Sequence, residues 1–400
     1  IILMIADGWS AKHIEATNKY CETTFNCDIP LYQTDSTWKT YYMTTYPIGG
    51  SYDPNQAWSD FEYVKSGYTD SAAAATALYT GMKTQKRRIA VSQDGSIRLY
   101  TIGEKAKDLG KSVGALTTVG ISDATPGTIC AHNDDRGNTY AIADECLFGD
   151  PNTTGDPSID SKYSGGHGPT FPPIDVMIGA GSDERSAYIN TSQKDKLRME
   201  SGEPGKHYFV ERRDGEDGGD NLMSAANDPN VTMLAGLFDQ VYRLADGSGY
   251  NPENPTLAES VQAALTVLEK NPKGFVLMVE GGAVDRASHA NNMNQMIGEM
   301  IDFNEAVRTV VDWVEDTTND SSWANTLVIV TGDHDCGYLT AGPGVFPDKP
   351  LGVINSTTIA NEKIDLASGL KASWNDTDGD DRIDPGETLY WAWNSSGHTN

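Results

Sequence analysis

The segment VEGGAVDRASHANN places a carboxylate, Glu280, at the end of an apolar run and sets Asp285 and His289 four residues apart. On a helical turn that spacing puts both side chains on one face. A carboxylate and an imidazole so placed, with another carboxylate upstream, suit a divalent cation. The plainer alternative is a glycine loop followed by a helix with an incidental Asp–His contact. TGDHDCG sets Asp333 beside His334 after a β-branched run, and ionisable groups there are costly to bury unless paired. A turn with a surface histidine is the alternative. His398, in SSGHTN, reads by itself as a tail residue. Of the seven histidines, His289, His334 and His398 form a set, whereas His13, His132, His167 and His207 lack strand-end carboxylates.

The stretch YTDSAAAATALYTG opens an alanine-rich helix on Ser71. Alanine is the strongest helix former, so the hydroxyl at the positive end is either a cap or a reactive group. Asp7 in IADG reads alone as a turn residue, Thr125 in SDATPG as part of a turn before Pro126, and Arg136 in HNDDRG as a surface arginine. These readings must all hold at once if the chain does no chemistry.

Elements able to position such groups recur along the chain. Apolar runs occupy 1–8, 112–120, 174–181, 274–282 and 326–335, and continuous runs of this kind read as strands buried on both faces of a parallel sheet. Helical patterns lie at 71–80, 101–109, 256–270 and 292–316. The alternation indicates an α/β fold, doubly wound, with a mostly parallel central sheet flanked by helices. Functional residues in such folds gather at the carboxyl ends of strands, and Asp7, Glu280, Asp333 and His334 all end strand runs. Regions 146–172 and 200–230 read as insertions or loops, and 337–397 as a larger late insertion within a single domain spanning 1–400.

Acidic residues outnumber basic ones 57 to 30, for a net charge of −27. That argues against nucleic acid or anionic membrane as partners, and an anionic substrate would need strong local positive charge. No apolar run is long enough to span a membrane. The chain opens abruptly inside an apolar run, which suggests an N-terminal segment already removed. Cys21 with Cys27 and Cys130 with Cys146 are candidate disulfides if the protein is exported, with Cys336 left over.

ADG, TDSAAAATALYTG, DATPGTICAHNDDR, VEGGAVDRASHA, TGDHDCG and SGHT resemble, in order, the motifs of the alkaline phosphatase family. The resemblance implies one zinc held by Asp285, His289 and His398, and a second by Asp7, Asp333 and His334 with Ser71 as exchangeable partner. It implies a magnesium shared by Asp7, Thr125 and Glu280, Ser71 as nucleophile and Arg136 as phosphate clamp. Asp123 matches an acidic position behind the ligands, and Arg286 a variable position on the substrate side. Imidazole with carboxylate suits zinc, and hard oxygen donors suit magnesium. Two divalent ions roughly 4 Å apart can stabilise the entering and leaving oxygens of an in-line displacement, and they supply the positive charge the chain otherwise lacks. The expected activity is hydrolysis of phosphate monoesters at alkaline pH through a phosphoserine, in a periplasmic or secreted protein; the resemblance also favours a homodimer. A phosphodiesterase or sulfatase of the same superfamily, and a catalytically silent metal-binding surface protein, stay open.

DTDGDDRIDPGE resembles an EF-hand calcium loop, with Asp376, Asp378 and Asp380 at positions one, three and five, Arg382 at seven, Asp384 at nine and Glu387 at twelve. Asp381 stands where glycine is usual, and no clear helices flank the loop. A solvated acidic turn is the alternative to a structural calcium site.

Overall fold

The computed structural model describes residues 1–24, 27–149, 172–183, 186–341 and 352–400. Seven strands build the main sheet: β1 (Ile2–Ala6), β2 (Ser112–Gly120), β3 (Val176–Ala180), β4 (Tyr208–Glu211), β5 (Leu234–Phe238), β6 (Phe275–Gly281) and β7 (Val328–Gly332). Their order is β4-β5-β3-β2-β6-β1-β7, and every pairing is parallel. Alternate residues of the central strands feed opposite cores. Ile2, Met4, Leu277 and Val279 pack toward the helices Leu257–Leu268 and Met293–Glu315. Leu3, Ile5, Val276 and Met278 face the other way, against Ala72, Ala75 and Ile142. Burial on both faces explains why these strands are apolar throughout rather than alternating.

The helices start where capping residues stand. Thr101 and Thr256 form capping boxes with Glu104 and Glu259, and Asn292 caps the helix Met293–Glu315, each satisfying backbone N–H groups that a helix start leaves unpaired. The expected helices at 71–80, 101–109, 256–270 and 292–316 therefore appear with boundaries set by these caps.

Three expectations need correction. The run 326–335 is not buried on both faces: β7 is the edge strand, and Ile329 is 41% exposed. Residues 200–230 are not merely loops, since they carry β4 and the helix Gly218–Ala226. The four-residue β4 and the glycine-interrupted LAGLF of β5 were too short or too broken to stand out from turn-rich surroundings. In the 146–172 region, Cys146–Phe148 ends the helix Thr139–Phe148, and 150–171, with His167, lie outside the described residues.

Within the late segment 337–397, β9 (Leu339–Thr340), β10 (Glu362–Ile364), β11 (Lys371–Trp374) and β12 (Leu389–Trp393) form a separate antiparallel sheet of order β10-β11-β12-β9. Between the two sheets, β8 (Asp335–Cys336) pairs with β13 (His398–Thr399), matching His398 to Cys336 and Thr399 to Asp335. That short ladder returns the end of the chain to the carboxyl edge of the main sheet. Cys21–Cys27 and Cys130–Cys146 are disulfide-bonded and Cys336 is a buried free thiol.

Candidate active site

The carboxyl ends of β1, β6 and β7 are adjacent in the sheet, so Asp7, Glu280 and Asp333–His334 converge. The helix Ala283–His289 leaves β6 at once and turns Asp285 and His289 back over the same edge. His289 Nε2 lies 3.4 Å from Asp285 Oδ2, and His398 Nε2 lies 3.3 Å from Asp285 Oδ1. The two Nε2 atoms are 3.0 Å apart.

Each of these rings has its other nitrogen on a backbone carbonyl, His289 Nδ1 on Ser396 at 2.6 Å and His398 Nδ1 on Thr69 at 3.1 Å. A carbonyl only accepts, so each Nδ1 carries the proton and each Nε2 presents a lone pair. Two lone pairs and a carboxylate aimed at one point form a donor set that suits a divalent cation, with the backbone carbonyls fixing the rings.

His334, Asp7 and Asp333 form a second group. His334 Nε2 is 3.3 Å from Asp333 Oδ2 and 3.6 Å from Asp7 Oδ1, and its ring stacks on that of His398 at 3.8 Å between centroids. The donor atoms within each group lie within 4.8 Å of one another. Burial, then Asp333, Asp285 and Glu280, pushes the Asp7 carboxyl well above its usual range. Burial likewise lifts Glu280 to about 8. Burial pushes Asp285 up too, but the His398 contact and the charge of the surrounding imidazoles, when protonated, outweigh it and hold that carboxyl low. Asp285 Oδ1, Asp333 Oδ2 and Thr125 Oγ1 are buried without a hydrogen-bond partner. Crowded acids and orphaned oxygens are expensive in an apolar interior, and divalent cations satisfy both. The residues present fit the metals that the resemblance implied.

Glu280 Oε2 accepts a hydrogen bond from Thr117 Oγ1, and Thr125 stands beside the same carboxyl. Thr117 is the register partner of Glu280 across β2 and β6. It escaped the sequence reading; its only trace is the polar interruption TTV in an otherwise apolar strand. Cys336 also went unassigned, yet its sulfur lies within the Asp285–His289–His398 group.

Gly8 allows this crowding. Its φ is +72°, and a Cβ there would stand 2.7 Å from Asp285 Oδ1 and 2.9 Å from Cys336 Cβ. Its N–H donates to Asp333 Oδ1 at 3.0 Å.

Ser71 begins the helix Ser71–Thr80 but does not cap it. Asp70 does, accepting from Ala73 N at 3.0 Å. The serine is thereby released to face the cluster, with Oγ 3.3 Å from His334 Nε2 and 3.5 Å from Asp7 Oδ1. Arg136 donates to Asp123 Oδ1 at 2.8 Å and to Asp70 Oδ2 at 3.4 Å. Arg286 takes the other Asp123 oxygen at 2.7 Å and also reaches Tyr188 Oη at 3.1 Å. Asp123 thus sits between two guanidinium groups; burial opposes its charge, but Arg136 and Arg286 prevail and hold its carboxyl below the usual range.

In the late loop, donor atoms of Asp376, Asp378 and Glu387 gather in one group and those of Asp378, Asp380 and Asp384 in another. Asp381 has φ +59°, the left-handed backbone for which glycine is usual there. Arg382 donates its backbone N–H to Asp380 Oδ1 at 2.9 Å. Lys363 Nζ lies 2.9 Å from Asp376 Oδ2 and competes for that oxygen.

The family profile described as Alkaline phosphatase matches residues 1–379. Alkaline phosphatase 4 of Bacillus subtilis is 30% identical over 346 residues, 86% of this chain, and the chain spans 62% of that relative's length. A cold-active alkaline phosphatase from a psychrophilic Shewanella superimposes with a TM-score of 0.60 at 27% identity, covering 86% of this chain and 70% of that one. A TAB5 alkaline phosphatase variant, whose structure has magnesium bound in its M3 site, shares the fold with a TM-score of 0.61 at 23% identity over 99% of this chain and 87% of its own. With the profile matching nearly the whole chain, the chain belongs to the alkaline phosphatase family.

Proposed function

We propose that this protein hydrolyses phosphate monoesters at alkaline pH by transferring the phosphoryl group to Ser71. The observation that carries this reading is a serine hydroxyl freed from capping at a helix N-terminus, 3.3 Å from His334 Nε2 and beside Asp7. Asp285, His289 and His398 would hold one zinc, Asp7, Asp333 and His334 a second, and Asp7, Thr125 and Glu280 a magnesium. When bound, these ions supply the positive charge that makes the serine oxygen a competent nucleophile and stabilises charge on the entering and leaving oxygens.

The chain's own groups do the rest. Asp70 takes Ala73 N and Ala74 N, so the phosphoryl oxygens meet the N–H groups of Ser71 and Ala72 at the start of the Ser71–Thr80 helix. Arg136, aimed by Asp123 and Asp70, grips two nonbridging oxygens in bidentate fashion. His289 and His398 keep their lone pairs directed inward because backbone carbonyls hold their N–H groups.

The same reading makes 337–397 an insertion that borders the site. It makes the 376–387 loop a calcium site through Asp376, Asp378, Asp380, the Arg382 carbonyl and Glu387. Two disulfides fit an oxidising compartment, periplasmic or extracellular. Homodimerisation belongs to the same proposal, and light scattering measures it. Among the described residues no helix is long and apolar enough to cross a membrane.

The deciding experiment incubates the zinc- and magnesium-loaded protein with p-nitrophenyl phosphate, bis-p-nitrophenyl phosphate and p-nitrophenyl sulfate. Monoester turnover well above the other two is expected, with radiolabelled phosphate trapped on Ser71 in acid. Preference for the diester or sulfate, or full metal content without turnover, overturns the proposal.

A further inference from the structure

Arg87 has a left-handed backbone, φ +71°, outside any helix and away from glycine. Non-glycine residues hold that conformation only where neighbours enforce it, and such strain gathers at ligand sites. Here the enforcement is visible: Arg87 N donates to Asp70 Oδ2 at 3.0 Å, and Arg87 O accepts from Arg136 N at 2.8 Å. The preceding residue, Lys86, is therefore carried on backbone tied to the same groups that aim Arg136. Its ammonium lies 3.4 Å from the ring centroid of Tyr68. The Tyr68 ring meets His398 edge-on at 5.9 Å, the His398 ring stacks on His334, and His334 Nε2 is 3.3 Å from Ser71 Oγ. An unbroken chain of ring contacts thus leads from Lys86 to the serine.

The neighbouring arginines are paired with carboxylates: Arg87 with Asp135, Arg88 with Asp134, Arg136 with Asp123 and Asp70, and Arg286 with Asp123. Lys86 has no acidic partner among the described residues. Asp70, the carboxylate whose field reaches it, is already occupied by Ala73 N, Arg87 N and Arg136. In a chain of net charge −27, an exposed lysine seated on an aromatic ring, with no counter-ion among the described residues, is a ready anion site.

We infer that Lys86 and Tyr68 form an outer anion subsite at the mouth of the active site. Resting on the phosphatase reading above, this selects phosphate monoesters whose leaving group carries a second anionic group several bonds from the ester. Tyr68 fixes the ammonium by a cation–π contact, and Lys86 receives the distal anion while the ester sits over Ser71. Arg87 and Arg136 keep the two anion-binding groups at a constant separation.

The test compares butanediol bisphosphate with hydroxybutyl phosphate, which differ only in the distal phosphate, and with p-nitrophenyl phosphate. Lys86→Gln is expected to lower kcat/KM for the bisphosphate about tenfold, mostly through KM, and to leave the other two within about twofold. Lys86→Arg restores the preference, and the wild-type preference shrinks as salt rises. Equal effects on all three substrates, or on none, overturn the subsite. Calorimetry keeps the result separate from the phosphatase reading: in a Ser71→Ala background, Lys86→Gln weakens bisphosphate binding about tenfold relative to Ser71→Ala alone. If the wild type turns over no substrate, the phosphatase reading has failed and calorimetry still decides the subsite.

Discussion

His289 and His398 bring their Nε2 atoms to 3.0 Å from each other across 109 residues of chain. With both Nδ1–H groups donated to carbonyls, neither ring, while neutral, can donate to the other, an arrangement that suits two ligands of one cation. His398→Ala is expected to remove one zinc equivalent while leaving the fold intact. Metal analysis by plasma mass spectrometry and a circular dichroism spectrum check both halves. Unchanged zinc content would contradict the assignment of His398 as a ligand.

Asp70 caps the helix that Ser71 begins, which separates structure from chemistry at adjacent positions. Ser71→Ala is expected to lower kcat by about a thousandfold or more and abolish phosphate labelling, with little change in melting temperature. Asp70→Ala should destabilise the fold by about 1 kcal/mol and raise KM, because Arg136 loses one of its two anchors. A Ser71→Ala variant that loses stability but keeps its turnover reverses the assignment.

Gly8 and Gly81 share nearly the same backbone, φ +72° and +73°, but a Cβ at Gly81 meets nothing within 4 Å whereas one at Gly8 meets Asp285 Oδ1. Both alanine variants bear the left-handed strain of about 1–3 kcal/mol. Only Gly8→Ala is expected to lose metal from the Asp285 group as well. Equal metal content in the two variants refutes the steric argument.

His132 is fully buried, 2.9 Å from Glu145 and 3.5 Å from Glu104. Burial pushes its pKa down, but the two glutamates outweigh that and lift it above the ordinary 6.5. A raised folded pKa means the native state binds the proton more tightly than the unfolded chain. The associated stability is complete below pH 6.5 and is lost as pH rises through the folded value. The midpoint of urea unfolding should therefore fall from neutral toward alkaline pH, and His132→Gln should flatten that part of the profile. A wild-type midpoint that holds steady over this range counts against the pairing.

Asp376 and Glu387 are pinned by backbone N–H groups, Gly379 N at 2.8 Å and Thr377 N at 2.6 Å. Calcium is expected to raise the melting temperature of the wild type but not of Glu387→Gln. Lys363→Ala, which frees Asp376 Oδ2, should tighten calcium binding. An equal calcium effect on wild type and Glu387→Gln removes the site.

Residue types and their order pointed to the parallel sheet, its main helices and the strand-end residues of the cluster, because period, capping and strand-end chemistry are local properties. Asp7, Glu280 and Asp333 were legible since each closes an apolar strand. What the order of residues could not carry was adjacency. His398 looked like a tail residue until the β8–β13 ladder returned it to the sheet edge. Thr117 became visible only through its register with Glu280. The exposure of β7 followed from its place at the edge, which its composition does not encode. Ser71 reads in sequence as cap or nucleophile; the fold removes the capping role, because Asp70 takes the helix N–H group and leaves the hydroxyl facing the cluster. Local sequence sets which conformations and charges are available. Long-range packing decides which of them meet, because pairing between distant segments depends on register and burial that no short stretch specifies.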